Sequence, residues 1–329
     1  MHVGDYFRCS CLYFTRKCFR KCEYCRIRDN SSGNKELDVK EWKEVVKILN
    51  YLGVEFNLIL GNEPLARPEE FIELIPEFNK LESYAVYSSA GPELFDKYKY
   101  KMIDAGLKNF STGMDFLDAE QGDIGKKSVD GLRNTLWMKE HGVPLTFCVT
   151  TISKLNLPYL EDIMHAVCSK GLVWALNVVH YDMDGGFDFF PPKEEIPDFV
   201  LTKEDVPLLK KQIAVMKKGI ENGYRIQNTP LYFDYLENKG WDLRWHCKEP
   251  LLSMDADGKM RLCGYRKGEE VNKFSIFDLT NEKKLREFID AWYVDNHVCC
   301  GCYWMYSFVA EEAYMKGTLA ERVQRIEPH

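Results

Sequence analysis

Cys18, Cys22 and Cys25 fall within eight residues, in the spacing Cys-x3-Cys-x2-Cys. Thiolates are the ligands of iron–sulfur clusters, and four of them saturate a 4Fe–4S unit. Three in one short loop leave one iron open to another ligand. A zinc site asks for four ligands, usually in paired Cys-x2-Cys units. The bland alternative is a set of buried inert thiols, but Arg20, Lys21 and Glu23 between the cysteines do not suit a buried face. A second group lies far along the chain. Cys247 is followed by ten residues, Gly258, four residues and Cys263, and later by His297-Val-Cys-Cys-Gly-Cys302. Cys299 and Cys302 make a chelating pair, with Cys300 as a possible replacement for Cys299. Four thiolates in two pairs can close either a zinc site or a cluster.

The elements that must position these groups follow from the pattern of apolar residues. Strands are expected at Cys11–Thr15, Glu55–Leu60, Tyr84–Ser88, Lys108–Thr112, Leu145–Thr151 and Val173–Val179. Each is short, apolar and bounded by turn residues. Helices fit between them. Asp38 and Glu41 form a capping-box pattern ahead of the stripe Trp42, Val45, Val46, Leu49, Leu52. Further helices are expected over Pro68–Leu81, Glu93–Ala105, Asp130–His141 and Pro158–Lys170. Strand and helix alternating six times imply an α/β fold, a partial TIM-like barrel of parallel strands with right-handed crossovers. Its active site belongs at the C-terminal strand ends. Thr202 and Asp205 open a long helix with the stripe Val206, Leu209, Ile213, Met216, Ile220. The domain boundary is placed near its end, giving a barrel over 1–225 and a smaller cysteine-bearing domain over 226–329. That part holds a hairpin, Leu251–Met254 and Lys259–Leu262, around Asp257-Gly258.

Composition limits the function classes. The chain has 329 residues, 45% of them apolar, and a formal charge of −7. The acidic balance argues against nucleic acid as a partner, although Arg16, Lys17, Arg20, Lys21, Arg26 and Arg28 form a local basic patch. The N-terminus lacks a signal-peptide core, and no apolar run reaches the ~20 residues of a membrane span. A soluble cytoplasmic protein is expected. In that compartment thiols stay reduced. Of the twelve cysteines, five lie within 9–25 and five within 247–302, so metal sites are the better reading than disulfides.

The triad, with Tyr24 before its last cysteine, resembles the radical S-adenosylmethionine superfamily motif Cys-x3-Cys-x-aromatic-Cys. Gly61-Asn62-Glu63-Pro64 resembles the family's Gly-Gly-Glu-Pro, with Asn62 in place of the second glycine. Ser88, Ser89 and Gly91 match polar positions after its third strand. Ser111-Thr-Gly-Met-Asp115 resembles its fourth-strand Ser-Leu-Asp-Gly, and Thr150, Thr151 and Asn156 its fifth-strand region. The resemblance implies that Cys18, Cys22 and Cys25 hold a 4Fe–4S cluster whose open iron chelates S-adenosylmethionine. One electron then yields a 5′-deoxyadenosyl radical that abstracts a substrate hydrogen. Tyr24, Gly61, Asn62, Glu63, Ser88, Ser89, Asp115 and Thr150 are the implied cofactor-binding positions, and a flavodoxin or ferredoxin the implied electron donor. The run Cys247-x10-Gly258-x4-Cys263 is similar to SPASM or twitch extensions. Five cysteines suit one auxiliary 4Fe–4S cluster, on Cys247, Cys263, Cys299 and Cys302, for electron transfer or structural support.

After the sixth strand, His180 and Asp182 are candidates to face substrate, and Phe187, Phe189 and Phe190 either form a lid or pack. Cys9, Cys11, Cys148 and the aromatics of Tyr303–Tyr314 read as packing. The favoured reaction is dehydrogenation of a small molecule, with the auxiliary cluster taking the second electron. The alternatives are a ribosomal-peptide maturase that cross-links or epimerises, a redox-neutral lyase or adenosyl addition, and a non-enzymatic iron–sulfur or zinc scaffold. With only some ten residues before the first strand, no N-terminal peptide-recognition domain is expected, and a separate partner protein would have to supply one.

Overall fold

The computed structural model describes residues 7–26, 35–89, 91–117, 128–239, 245–248, 251–302, 304, 305 and 308. Arg28 and most of the Tyr303–Tyr314 stretch lie outside them. The six expected strands form within two residues of the expected bounds: β1 Cys9–Tyr13, β2 Phe56–Leu60, β3 Tyr84–Val86, β4 Asn109–Gly113, β5 Leu145–Ile152 and β6 Val173–Val178. Between them run α1 Val39–Tyr51, α2 Pro68–Phe78, α3 Pro92–Asp104, α4 Ser128–Glu140 and α5 Leu160–Cys168. The β1–β2–β3 and β4–β5–β6 pairings are all parallel. A bridge from Tyr87 to Ser111, with the Ser88 amide donating to the Ser111 carbonyl, joins the two sets into one arc.

Strands covered on both faces read as continuous apolar runs. In β1, Cys9, Cys11 and Tyr13 enter one apolar cluster while Leu12 enters the other. The alternation places Cys9 and Cys11 in packing, as expected, and burial pushes Cys9 up to about 12. Cys148 is likewise buried in β5. On the outer face, α1 buries its expected stripe behind β1 and β2, and both halves of the Asp38–Glu41 capping box are formed. The long helix begins later than expected. Thr202 and Asp205 cap a short 3-10 turn, and α6 follows over Val206–Glu221. Its buried face uses Gln212 and Gly219, whereas Ile220 is exposed. Gly219 lets the helix approach Met164 of α5, since a Cβ there would lie 2.8 Å from the Met164 sulfur.

The C-terminal part joins the barrel directly. The expected hairpin forms as β7 Leu252–Met254 and β8 Met260–Arg261, paired antiparallel. β7 also pairs parallel with β1, so the sheet order is β3-β2-β1-β7-β8. At the other end of the arc, Trp174 of β6 donates its amide to Arg225, and Gln227 donates back to Trp174. The expected boundary between residues 225 and 226 falls inside this pairing. Two more helices complete the described fold, α7 Pro230–Lys239 and α8 Glu282–His297. Among the described residues, no helix is long and apolar enough to cross a membrane.

Candidate active site

The C-terminal ends of the strands open on a cavity of about 200 Å³. Cys18, Cys22 and Cys25 all line it, in the loop that leaves β1. That loop is held at several points. Thr15 Oγ1 and the Arg16 amide donate to Glu36. The Asn62 amide donates to the Thr15 carbonyl at 2.9 Å and the Glu63 amide to the Lys17 carbonyl at 3.0 Å. Asn62 Nδ2 also donates to the Arg16 carbonyl. A second glycine at that position would lack this last tie. Gly61 is needed for closeness rather than for a left-handed backbone, because a Cβ there would meet the Thr15 methyl at 3.2 Å. Further along, the Tyr24 hydroxyl donates to Asp115 Oδ2 at 3.0 Å, and the Arg26 amide donates to the Phe189 carbonyl at 2.8 Å. Burial pushes the Cys18 thiol up to about 11, with the Glu63 charge adding to the shift.

The expected cofactor-binding residues divide into two layers. Tyr24, Gly61, Asn62 and Ser89 line the cavity. Glu63, Ser88, Asp115 and Thr150 are buried behind it. Glu63 accepts from Ser88 Oγ at 2.7 Å, from the Ser89 amide at 2.7 Å and from the Leu65 amide at 3.0 Å. Burial raises its pKa and these hydrogen bonds oppose the rise. The carboxylate therefore ties the end of β2 to the end of β3. Asp115 accepts from the Thr151 amide and from Tyr24, and so ties β5 to the cysteine loop. Thr150 donates to the Met114 carbonyl and accepts from the Trp174 indole. Replacing Glu63 by alanine strands several buried donors, each worth about 1–3 kcal/mol. Glu63→Ala should lower the melting temperature and loosen S-adenosylmethionine binding at least several-fold, measured by thermal denaturation and equilibrium dialysis.

His180 and Asp182 separate in the same way. His180 belongs to the cavity wall and is 5% exposed. Asp182 instead accepts from the Asp184 and Gly185 amides and folds its own loop. The three phenylalanines form no lid. Phe187 and Phe189 are buried in the core, and Phe190 packs into the wall beside Tyr265. Tyr13, Tyr265 and Trp304, none of them a candidate from the sequence, also stand in that wall, as does Arg20 of the basic patch. One signal was available: Tyr265 and Trp304 each stand two residues after a cysteine of the C-terminal group.

Cys247, Cys263, Cys299 and Cys302 line a second, smaller cavity together with Trp245, Trp292 and Trp304. Cys300 is not in its wall and stands near Arg266, at 3.9 Å. The Cys300 thiol, the Gly301 amide and nearby Arg266 pull Cys299 below the ordinary thiol value. Burial pushes Cys263 up to about 11, and the Cys299 charge adds to the rise. Among the described residues, no three His, Cys, Asp or Glu side chains converge on the position of a single ion.

Comparison with known proteins agrees with this geometry. Residues 12–167 match the family model described as the Radical SAM superfamily. A probable GTP 3′,8-cyclase of Methanococcus maripaludis is 33% identical over 292 residues, 80% of this chain and 91% of the relative. Another, from Archaeoglobus fulgidus, is 29% identical over 109 residues, 32% of this chain and only 35% of that protein. A PqqA peptide cyclase of Bradyrhizobium diazoefficiens is 29% identical over 163 residues, 46% of this chain and 41% of that protein. Among solved structures, anSMEcpe with bound AdoMet superposes with a TM-score of 0.56 at 14% identity, covering 94% of this chain and 97% of that one. Streptococcus suis SuiB bound to S-adenosylmethionine gives 0.59 at 13% identity, over 78% of this chain and 60% of SuiB. With its barrel, its three-cysteine loop and a relative matched over nearly its whole length, this chain belongs to the radical S-adenosylmethionine superfamily.

Proposed function

We propose that Cys18, Cys22 and Cys25 hold a 4Fe–4S cluster with one open iron, and that Cys247, Cys263, Cys299 and Cys302 hold a second, saturated cluster. The observation that carries this reading is the pair of adjoining cavities, with three thiols in one wall, four in the other and Trp304 in both. The donor sets fit. Thiolates are soft ligands suited to iron–sulfur clusters, and protons held by burial at Cys18 and Cys263 are released when metal binds. With S-adenosylmethionine bound, the first cluster supplies a 5′-deoxyadenosyl radical for hydrogen abstraction.

The chain's own residues then position and enclose. Gly61, Asn62 and Ser89 present polar backbone and side-chain groups to the amino-acid part of the cofactor. Glu63, Ser88, Asp115 and Thr150 keep that wall rigid from behind. Tyr13, Phe190, Tyr265 and Trp304 exclude water from the side opposite, and His180 faces the substrate. The segment 226–329 acts as the auxiliary-cluster part and completes the pocket. The reaction we favour forms a ring or cross-link in a small molecule or peptide after hydrogen abstraction. The names of two relatives, a GTP 3′,8-cyclase and a PqqA peptide cyclase, support this choice over dehydrogenation. Dehydrogenation is the second reading, supported by a four-thiol set able to hold an electron-accepting cluster.

Iron content tests the assignment. Anaerobically reconstituted protein should bind about eight irons per chain, and Cys263→Ser about four. Cys263→Ser should still cleave S-adenosylmethionine, because the first cluster remains. Zinc at the second site, or about four irons that vanish when the three N-terminal cysteines are replaced, would remove the second cluster from the account.

A further inference from the structure

The loop after β6 reaches across to the second cysteine group. Phe187 forms a bridge with Arg266, and the Asp188 amide donates to the Tyr265 carbonyl at 3.2 Å. The partner in this contact is a tight turn that carries Cys263. The Leu262 amide donates to the Lys267 carbonyl at 2.7 Å and the Cys263 amide to the Arg266 carbonyl at 3.2 Å. Inside the turn, the Tyr265 amide points at the Cys263 sulfur, 3.4 Å away. The Arg266 side chain leaves the turn towards the other cysteine segment. Its Nη1 lies 3.9 Å from the Cys300 sulfur and donates to Asp184 Oδ2 at 2.8 Å. Cys300 stands between Cys299 and Gly301, and the Gly301 amide lies 3.5 Å from the Cys299 sulfur. Arg266 therefore spans the two segments that carry Cys263, Cys299 and Cys302.

The guanidinium is held there by shape as well as by charge. A Cβ on Gly186 would lie 2.5 Å from Arg266 Cζ, 2.7 Å from Nη2 and 2.8 Å from Nη1. The group thus packs on the open Cα of Gly186, in space that any other residue's Cβ would take. The Arg266 side chain is 17% exposed and that of Asp184 31%, so water screens their fields only in part. An arginine keeps its charge in a protein. The potential of an iron–sulfur cluster follows the charge around it and the hydrogen bonds to its sulfurs. A fixed cation stabilises the added electron of the reduced state, and a carboxylate beside it does the opposite. We propose that Arg266 sets the reduction potential of the second cysteine site, held in place by Asp184 and Gly186 of the loop after β6. The inference rests on the reading of that site as a second cluster. The same loop begins at His180 and ends at Phe190, both in the wall of the first cavity, so one segment serves both sites.

A redox titration of the full, anaerobically reconstituted chain tests it, followed by electron paramagnetic resonance. Cys263→Ser, which keeps only the first cluster, identifies that cluster's signal, and the remaining signal is the second. Poised at the wild-type midpoint of the second cluster, Arg266→Gln should raise its ratio of oxidised to reduced form about tenfold, or about 59 mV for one electron. Asp184→Asn should lower the ratio, by about threefold, because the carboxylate is the more exposed of the pair. Opposite signs separate charge from loosened packing, which would move both variants alike. A ratio within about twofold of the wild type in Arg266→Gln, or shifts of one sign in the two variants, would overturn the proposal. Should Arg266→Gln lose the iron of the second cluster, Asp184→Asn carries the test alone, and an unmoved or raised ratio there overturns it. Loss of that iron from both variants also overturns it, since the ion pair would then hold the site together rather than set its potential. Wild-type iron content scores the reading beneath. About eight irons per chain with unmoved ratios refute the role of Arg266 alone, whereas about four irons, or zinc, refute the second cluster and this inference with it.

Discussion

Cys18→Ala should reduce S-adenosylmethionine cleavage to background and remove about four irons per chain. On the proposed assignment, each of the three thiols is an individual cluster ligand, and no nearby cysteine can stand in. Cys9 and Cys11 are buried on β1 within the packed core, and burial holds their protons tightly. Cys148 lies buried in β5. Cys9→Ser should therefore keep iron and activity, which sets a control against which the triad variants are read. Iron analysis and chromatographic assay of 5′-deoxyadenosine check both. Retention of four irons and cleavage in Cys18→Ala would end its assignment as a ligand.

The second large effect concerns a buried charge network that fastens the C-terminal hairpin to the barrel. Arg261 is fully buried on β8 and donates to Asp255 at 2.9 Å and to Asp188 at 2.7 Å. Arg16, two residues before Cys18, pairs with the same Asp255. The rings of Tyr13 and Phe189 lie beside both guanidinium groups, at 4.6 to 5.6 Å. Removing one partner of such a network leaves uncompensated buried charge and costs about 3–5 kcal/mol. Arg261→Met should lower the melting temperature by about 4–7 °C and loosen the second cysteine group, seen as lost auxiliary iron. The pH dependence has a defined sign. Burial alone would raise the Asp255 pKa, but the hydrogen bond from Arg16 and the two positive charges hold it below the ordinary carboxylate value. Its stabilisation is thus present above the unfolded value near 3.9 and is lost as the pH falls through the lower folded value. Weakening the network raises the folded pKa, so acid unfolding of Arg261→Met should begin at a higher pH than in the wild type. A melting temperature and acid midpoint equal to the wild type would show that the network contributes little.

The secondary-structure elements were legible in the sequence because their signals are local. The stripe of α1, its capping box and the apolar strands depend on residues within a few positions of one another, and parallel order follows from the alternation itself. The cysteine loop was legible for the same reason. What remained hidden depended on residues far apart in the chain. Glu63 is legible as a candidate cofactor contact, but its hydrogen bonds from Ser88 and Ser89, some 25 residues on, appear only in the folded chain. Asp182 looks equivalent to His180 on its strand-end loop, and only the folded loop shows that it binds its own backbone. Tyr265 and Trp304 reach the first cavity because β7 pairs with β1, a contact between residues some 240 positions apart.

Reductive cleavage of S-adenosylmethionine by the wild-type chain tests the central claim most directly. Anaerobically reconstituted protein, given dithionite and S-adenosylmethionine, should release 5′-deoxyadenosine and methionine in equal amounts, and Cys18→Ala, Cys22→Ala and Cys25→Ala should each release neither. An iron-loaded wild type that forms no 5′-deoxyadenosine, or variants that form as much as the wild type, would contradict the account.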